Sequence, residues 1–201
     1  MASIYDLKPR FQALLRPAVR SLANAGVTAN HVTVAAMILS LLLGVFIASY
    51  PRHSLPLLLM PLALLLRMAL NAIDGMLARE HGMKSSLGAI LNELGDVLSD
   101  TALYLPLALI PGISVIWVVA VVILAIISEM TGVIAVQIGA ERRYDGPMGK
   151  SDRAFVFGLL CLLLGLGWVS AQWFNYAMIA SAGLLVVTVI NRARRALAEP
   201  V

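Results

Sequence analysis

The polar positions of this chain fall in short interruptions between long apolar blocks. A membrane-spanning helix needs roughly 20 mostly apolar residues. Blocks at 32–49, 55–77, 87–110, 115–138, 154–169 and 174–190 approach or meet that length. The interruptions "PRHS", "REHGMKSS", "PGIS", "GAERRYDGPMGKSD" and "SAQW" hold much of the Pro and Gly that punctuates helices. Ahead of the first block, Ile4, Leu7, Phe11, Leu14, Leu15, Val19 and Leu22 recur at helical spacing, with Arg10, Arg16 and Arg20 mostly elsewhere around the wheel. Such a helix lies on a membrane surface or packs on cytoplasmic loops, and the pattern serves both. "GVTAN" then breaks the chain, with Thr28 or Asn30 as the cap of the first span. The expectation is an all-α integral membrane protein: six transmembrane helices with an N-terminal amphipathic surface helix. It divides into a surface segment at 1–30, a membrane domain at 31–195 and a tail at 196–201.

Composition agrees. The chain of 201 residues is 60% hydrophobic and 13% charged, against about 45–50% and about 25% in soluble domains. The single cysteine, Cys161, lies in "GLLCLLLGLG"; it excludes a disulfide framework and reads as a buried thiol. The first residues lack the apolar core of a secretory signal, so no cleavage is expected. The formal charge of +4 tests for nucleic-acid binding, but its distribution answers to topology instead. Every Lys and Arg except Arg52 and Arg67 falls on one side of the six-span layout, which places both termini and the longer loops in the cytoplasm. Trp117, Trp168, Trp173 and Tyr176 read as interfacial anchors, and His31, His53 and His81 as incidental.

The spans nevertheless contain Arg67, Asp74, Glu93, Asp96, Asp100 and Glu129. Each charge near mid-membrane costs at least about 2.5–3.5 kcal/mol on insertion scales, so the group must face the bundle interior or a wet cavity. Arg67, Asn71, Asp74 and Ala78 form one stripe on the second span, and Gly88, Asn92, Asp96 and Asp100 another on the third. A short loop makes these spans antiparallel neighbours, so the two stripes converge toward the cytoplasm. Carboxylate and amide oxygens suit Mg²⁺, Ca²⁺ or Mn²⁺. Small residues at Gly75, Ala78, Gly82 and Gly88 leave room near the backbone, and Arg79, Lys84, Lys150 and Arg153 can meet phosphate. Together they suggest a phosphate-bearing substrate at the membrane surface. Arg67 and Glu129 are expected to form a buried ion pair, and Glu93 to line the cavity or face another helix.

The stretch "NAIDGMLAREHGMKSSLGAILNELGD" resembles the signature D-x-x-D-G-x-x-A-R-x8-G-x-x-x-D-x-x-x-D of the CDP-alcohol phosphotransferase (CDP-alcohol phosphatidyltransferase) family. Asp74, Gly75, Ala78, Arg79, Gly88 and Asp96 match with the correct spacing, while Asn71 and Asn92 occupy the first and third acidic positions. The resemblance implies a transferase of phospholipid biosynthesis. Such an enzyme moves a phosphatidyl group from a CDP-linked donor such as CDP-diacylglycerol to an alcohol acceptor and releases CMP. It implies Mg²⁺ or Mn²⁺ held by Asn71, Asp74, Asn92 and Asp96, with Asp96 as general base. Gly75, Ala78, Arg79 and Gly88 would bind the nucleotide, and Lys150 and Arg153, in a K-x-x-R element, an anionic acceptor. It further implies a bacterial cytoplasmic (inner) membrane location with a cytoplasmic active site, a possible homodimer, and no nucleic-acid partner.

The asparagines change the electrostatics, since Asn offers a neutral carbonyl where Asp offers a charge. One tightly held metal is expected, or a second that arrives only with the donor diphosphate. Asp100, one turn beyond Asp96, is a possible auxiliary ligand. A member of the family that binds lipid or nucleotide without turnover is the alternative. A transporter would call for inverted repeats or broken helices, which the sequence does not show.

Overall fold

A computed structural model describes residues 4–199, with side chains described from residue 11 onward. Seven α-helices and one 3₁₀ turn make up the fold: α1 (Ile4–Asn24), α2 (Ala29–Ser49), α3 (Ser54–Glu80), α4 (Ser86–Tyr104), the 3₁₀ turn (Leu105–Leu109), α5 (Val115–Gln137), α6 (Lys150–Gly165) and α7 (Ala171–Leu197). Among the described residues α2, α3, α5 and α7 are long and apolar enough to cross a membrane. The other two expected spans do not qualify by length and composition. Helix α4 carries Glu93, Asp96 and Asp100, and α6 has 16 residues, about 24 Å at 1.5 Å per residue.

Local chemistry sets the helix ends. Thr28 Oγ1 accepts from the His31 amide and the Thr28 amide donates to His31 Nδ1, both at 3.3 Å, so His31 completes a cap and is not incidental. Ser85 Oγ accepts from the Gly88 amide at 2.9 Å and starts α4. The block at 87–110 does not continue as one α-helix because Pro106 has no amide hydrogen to donate to Ala102 O. That carbonyl lies against Gly44 of α2, where a Cβ would come within 2.1 Å. One missing hydrogen bond and one missing side chain together let α2 and α4 cross closely.

Helix α2 packs on α3 and α4, α3 on α6, and α5 on α7. The main core runs through Met60, Leu57, Leu107, Val118, Val121, Phe174 and Leu185, with Tyr104 stacked on Phe157 at 3.9 Å. Cys161 is a buried free thiol within it. Helix α1 docks on the C-terminal end of α3. Val19 is fully buried with Ile73, Met76 and Leu77, and Arg16 pairs with Glu80 at 2.9 Å. Leu14 points outward, so one face of α1 packs on protein and another stays open. The expected helix positions Ile4, Leu7 and Arg10 lie outside the described side chains.

Candidate active site

The α3–α4 turn, closed by "HGMKS", brings two signature stripes beside the start of α2. Between them lies a cavity of about 420 Å³. Asp74, Gly75, Ala78 and Arg79 line it from α3, Gly88, Ala89 and Asn92 from α4, Met83, Lys84 and Ser85 from the connecting loop, and Ala29, Asn30 and Thr33 from α2. Every residue expected to bind nucleotide therefore faces one space. The glycines have local duties as well. A Cβ at Gly75 would meet the Arg79 guanidinium at 3.1 Å, so the bare position lets Arg79 fold back along its own helix. A Cβ at Gly88 would come within 2.8 Å of Asn30 Oδ1.

Asp74 is 5% exposed, and its Oδ2 accepts from Thr33 Oγ1 at 2.8 Å. No side chain donates to Asp74 Oδ1 among the described residues. Asp96, about two turns from the Gly88 end of α4, is partly open. Its Oδ1 accepts from Asn71 Nδ2 at 3.2 Å, lies 3.5 Å from Arg67 Nη2, and is bonded by Lys150 Nζ. Asp74 lies within electrostatic range of both Asp96 and Lys150. The two carboxylates thus converge on neighbouring helices, Asp74 at the cavity and Asp96 just below it.

Deeper in the bundle the charges are all paired. Asp100 is held by Arg67 on one oxygen and by Arg153 on the other, at 3.0 and 2.8 Å. Arg153 also reaches Glu129 at 3.0 Å. Glu129 in turn meets Arg142 at 3.1 Å and Arg192 at 3.4 Å, and Arg142 forks onto Glu93 with two bonds of 2.6 Å. Burial alone would disfavour the Arg142 charge, but the bonds from Glu93 raise its pKa above the ordinary value. One expectation is corrected here, and two residues expected at the site are engaged elsewhere. Arg67 pairs with Asp100 and Asp96, not with Glu129. Asp100, the possible auxiliary ligand, has both oxygens bonded by guanidinium groups. Arg153, expected to bind an anionic acceptor, is 1% exposed and donates to the Asp100 and Glu129 carboxylates. Glu93 faces the loop before α6 through Arg142.

Among the described residues no three His, Cys, Asp or Glu side chains cluster as a metal site. The oxygen set on the signature stripes is instead two Asp and two Asn. Its fit to a divalent ion rests on Asp74, whose Oδ1 is free of side-chain donors, and on the exposed carboxamide of Asn92 in the same cavity. These are the hard oxygen donors that Mg²⁺ and Mn²⁺ take.

The family model for CDP-alcohol phosphatidyltransferases matches residues 26–190, a range that contains both signature stripes and every cavity-lining residue named above. The chain belongs to the CDP-alcohol phosphatidyltransferase family. The inner membrane protein YnbA of Escherichia coli is 46% identical over 195 residues, covering 97% of this chain and 96% of YnbA. The archaetidylinositol phosphate synthase of Pyrococcus horikoshii is 31% identical over 103 residues, 51% of this chain and 52% of that protein. Among solved structures, the phosphatidylinositol phosphate synthase PgsA1 of Mycobacterium tuberculosis with CDP-DAG bound superposes with a TM-score of 0.78 at 20% identity, covering 92% of this chain and 94% of that one. The same protein in complex with manganese and citrate gives 0.76, covering 92% and 89%. The transferase fold is therefore shared along nearly the whole chain, and this phosphatidyltransferase-family protein is integral to the membrane.

Thr33 went unnoticed in the sequence, and Asn30 was read only as a candidate helix cap, because α2 reads as an apolar span. Their role depends on a contact with α3 and α4 that no periodicity within α2 announces. Lys150 was singled out for an anion, but its bond to Asp96, which joins residues 54 apart, was not legible in the same way.

Proposed function

We propose that the chain is a membrane-embedded transferase that moves a phosphatidyl or similarly substituted phosphate from a CDP-linked lipid to an alcohol and releases CMP. The observation that carries this reading is the convergence of Asp74, Gly75, Ala78, Arg79, Gly88 and Asn92 on one cavity of nucleotide-accommodating size. Relatives supply the substrate class: PgsA1 was solved with CDP-DAG and, separately, with manganese. In this reading α4 and α6 also span the bilayer, giving six spans, cytoplasmic termini and a cytoplasmic site in a bacterial inner membrane. The outward stripe Leu87, Ile90, Leu94 and Leu98 on α4 then meets lipid or a second copy.

The nucleotide enters between α3 and α4, with Arg79 and Lys84 supplying positive charge at the rim. Asn71, Asp74, Asn92 and Asp96 are the oxygen donors for Mg²⁺ or Mn²⁺, which when bound draws charge from the diphosphate and eases departure of CMP. Thr33 fixes the Asp74 carboxylate. Asp96 is the general base. Its Oδ1 is anchored by Asn71, Arg67 and Lys150, and its Oδ2 has no side-chain donor among the described residues. An acceptor hydroxyl can deliver its proton to that oxygen as it attacks phosphorus. Lys150 beside Asp96 supplies a cation where an acceptor must approach; Arg153, locked on Asp100 and Glu129, holds α6 in position.

A second reading is favoured by the asparagines and by the three donors crowding Asp96 Oδ1: a fold that binds donor without turnover. Purified protein with Mn²⁺, CDP-diacylglycerol and a panel of polar alcohols separates the two. CMP release that is lost in Asp96→Ala, with donor binding retained, supports the transferase. Donor binding with no CMP from any acceptor establishes the second reading.

A further inference from the structure

Asp74 and Asp96 differ in how the chain compensates their charges. Asp74 pairs with no Lys or Arg among the described residues; its one side-chain partner is the Thr33 hydroxyl. Asp96 is met by the Lys150 ammonium, which comes from the first residue of α6. The Asn71 amide donates to the same oxygen at 3.2 Å. With Asp at 71 two carboxylates would face each other there and require a cation between them. With Asn, the lysine already supplies the positive charge and the amide supplies a hydrogen bond. Arg67, the third partner, is fixed by Asp100 and by the Asp96 backbone carbonyl at 3.0 Å, so it belongs to the scaffold. Lys150 is the partner on a flexible stem, and its side chain is partly exposed.

We propose that the Lys150 ammonium takes the place of a second divalent ion. On this proposal the four-donor set given above narrows: the chain binds a single Mg²⁺ or Mn²⁺, on Asp74 with the amide oxygens of Asn71 and Asn92, while Lys150 neutralises Asp96 and leaves it as the base alone. The proposal rests on the metal-and-diphosphate reading of the cavity. Asp74 and Asp96 set against Lys150 leave one net negative charge. One divalent ion offsets a doubly charged donor diphosphate, and the remaining negative charge faces Arg79 and Lys84 at the cavity rim. A second ion would face both an ammonium and a neutral amide at the position where it needs carboxylates.

The test counts Mn²⁺ per chain, by electron paramagnetic resonance of free Mn²⁺ and by calorimetry, on the full chain in detergent with CDP-diacylglycerol present. Wild type and Lys150→Arg should each take one ion. Asn71→Asp alone should still take one, because the ammonium stays. The double variant K150M/N71D, which removes the ammonium and restores a carboxylate, should take two. Two ions on wild type or on Asn71→Asp overturn the proposal, and so does one ion on a double variant whose melting profile matches wild type. If the double variant does not fold, the wild-type and Asn71→Asp counts decide. Absence of Mn²⁺ from both wild type and Asn92→Asp, with or without donor, removes the metal reading itself, a different failure.

Discussion

Asp100→Asn is the sharpest test of how this bundle tolerates its buried charges. The carboxylate accepts from Arg67 on Oδ1 and from Arg153 twice on Oδ2, and both arginines are at most 2% exposed. Asparagine preserves shape and one acceptor oxygen. It removes the charge and turns an NH₂ toward one guanidinium, so a donor faces a donor. Removing one partner from a buried ion pair costs about 3–5 kcal/mol, chiefly because the remaining charge is left uncompensated. Each arginine keeps other acceptors, Asp96 for Arg67 and Glu129 and the Met148 carbonyl for Arg153. The loss should therefore sit near the lower end of that range. For a chain of this length it corresponds to a melting point lower by on the order of 10 °C. The assay is thermal unfolding in one detergent, followed with Mn²⁺ titration at a temperature where the variant is folded. The scaffold role predicts lower stability with Mn²⁺ affinity changed little. Unchanged stability, or a large loss of Mn²⁺ binding in the folded variant, would refute the reasoning, since the second result makes Asp100 a ligand.

Thr33→Val deletes the hydroxyl that holds Asp74 and should weaken Mn²⁺ binding roughly 10- to 100-fold, the range seen when a group supporting a metal ligand is lost; unchanged affinity shows that Asp74 needs no such support. Gly44→Ala places a methyl within 2.1 Å of the Ala102 carbonyl and should cost about 1–3 kcal/mol through overpacking at the α2–α4 crossing, measured by the same melts. Its control is Gly183→Ala in α7, where no atom lies within 4 Å of the added methyl; that change should be neutral or stabilising by up to about 1 kcal/mol, because Ala is the better helix former.

The parts of the fold legible in the sequence were those written in local periodicity. Apolar blocks located the helices, and the four-residue spacing of Asn92, Asp96 and Asp100 put them on one face of α4. Membership of a stripe, however, does not fix what each side chain meets. Asp96 and Asp100 share a face but have opposite fates, one at the site and one clamped in the core, because Arg67 and Arg153 reach α4 from α3 and α6. The supposed Arg67–Glu129 pair failed for the same reason: charge complementarity in a list of buried residues leaves several pairings open, and packing chooses among them. The close crossing at Gly44 was hidden because it needs Gly44 to meet the Ala102 carbonyl, 58 residues further along the chain and left free by Pro106.

Arg67 links the two halves of this electrostatic design. One nitrogen holds Asp100, while the other donates to the Asp96 backbone carbonyl and approaches its Oδ1. A guanidinium is planar and donates in a fixed fork, so the two contacts are geometrically coupled in a way a lysine could not reproduce. Rotation of the Asp96 carboxylate toward an acceptor therefore works against a side chain anchored in the core. From Asp100 the anchoring continues through Arg153 to Glu129, and from there through Arg142 and Arg192 to the loop before α6 and to α7. Charges that would be prohibitively costly one by one in lipid thus form a continuous, mutually compensated scaffold. Among the described residues, the carboxylate oxygens on the signature stripes without a side-chain donor are Asp74 Oδ1 and Asp96 Oδ2, the two atoms from which the proposed chemistry works.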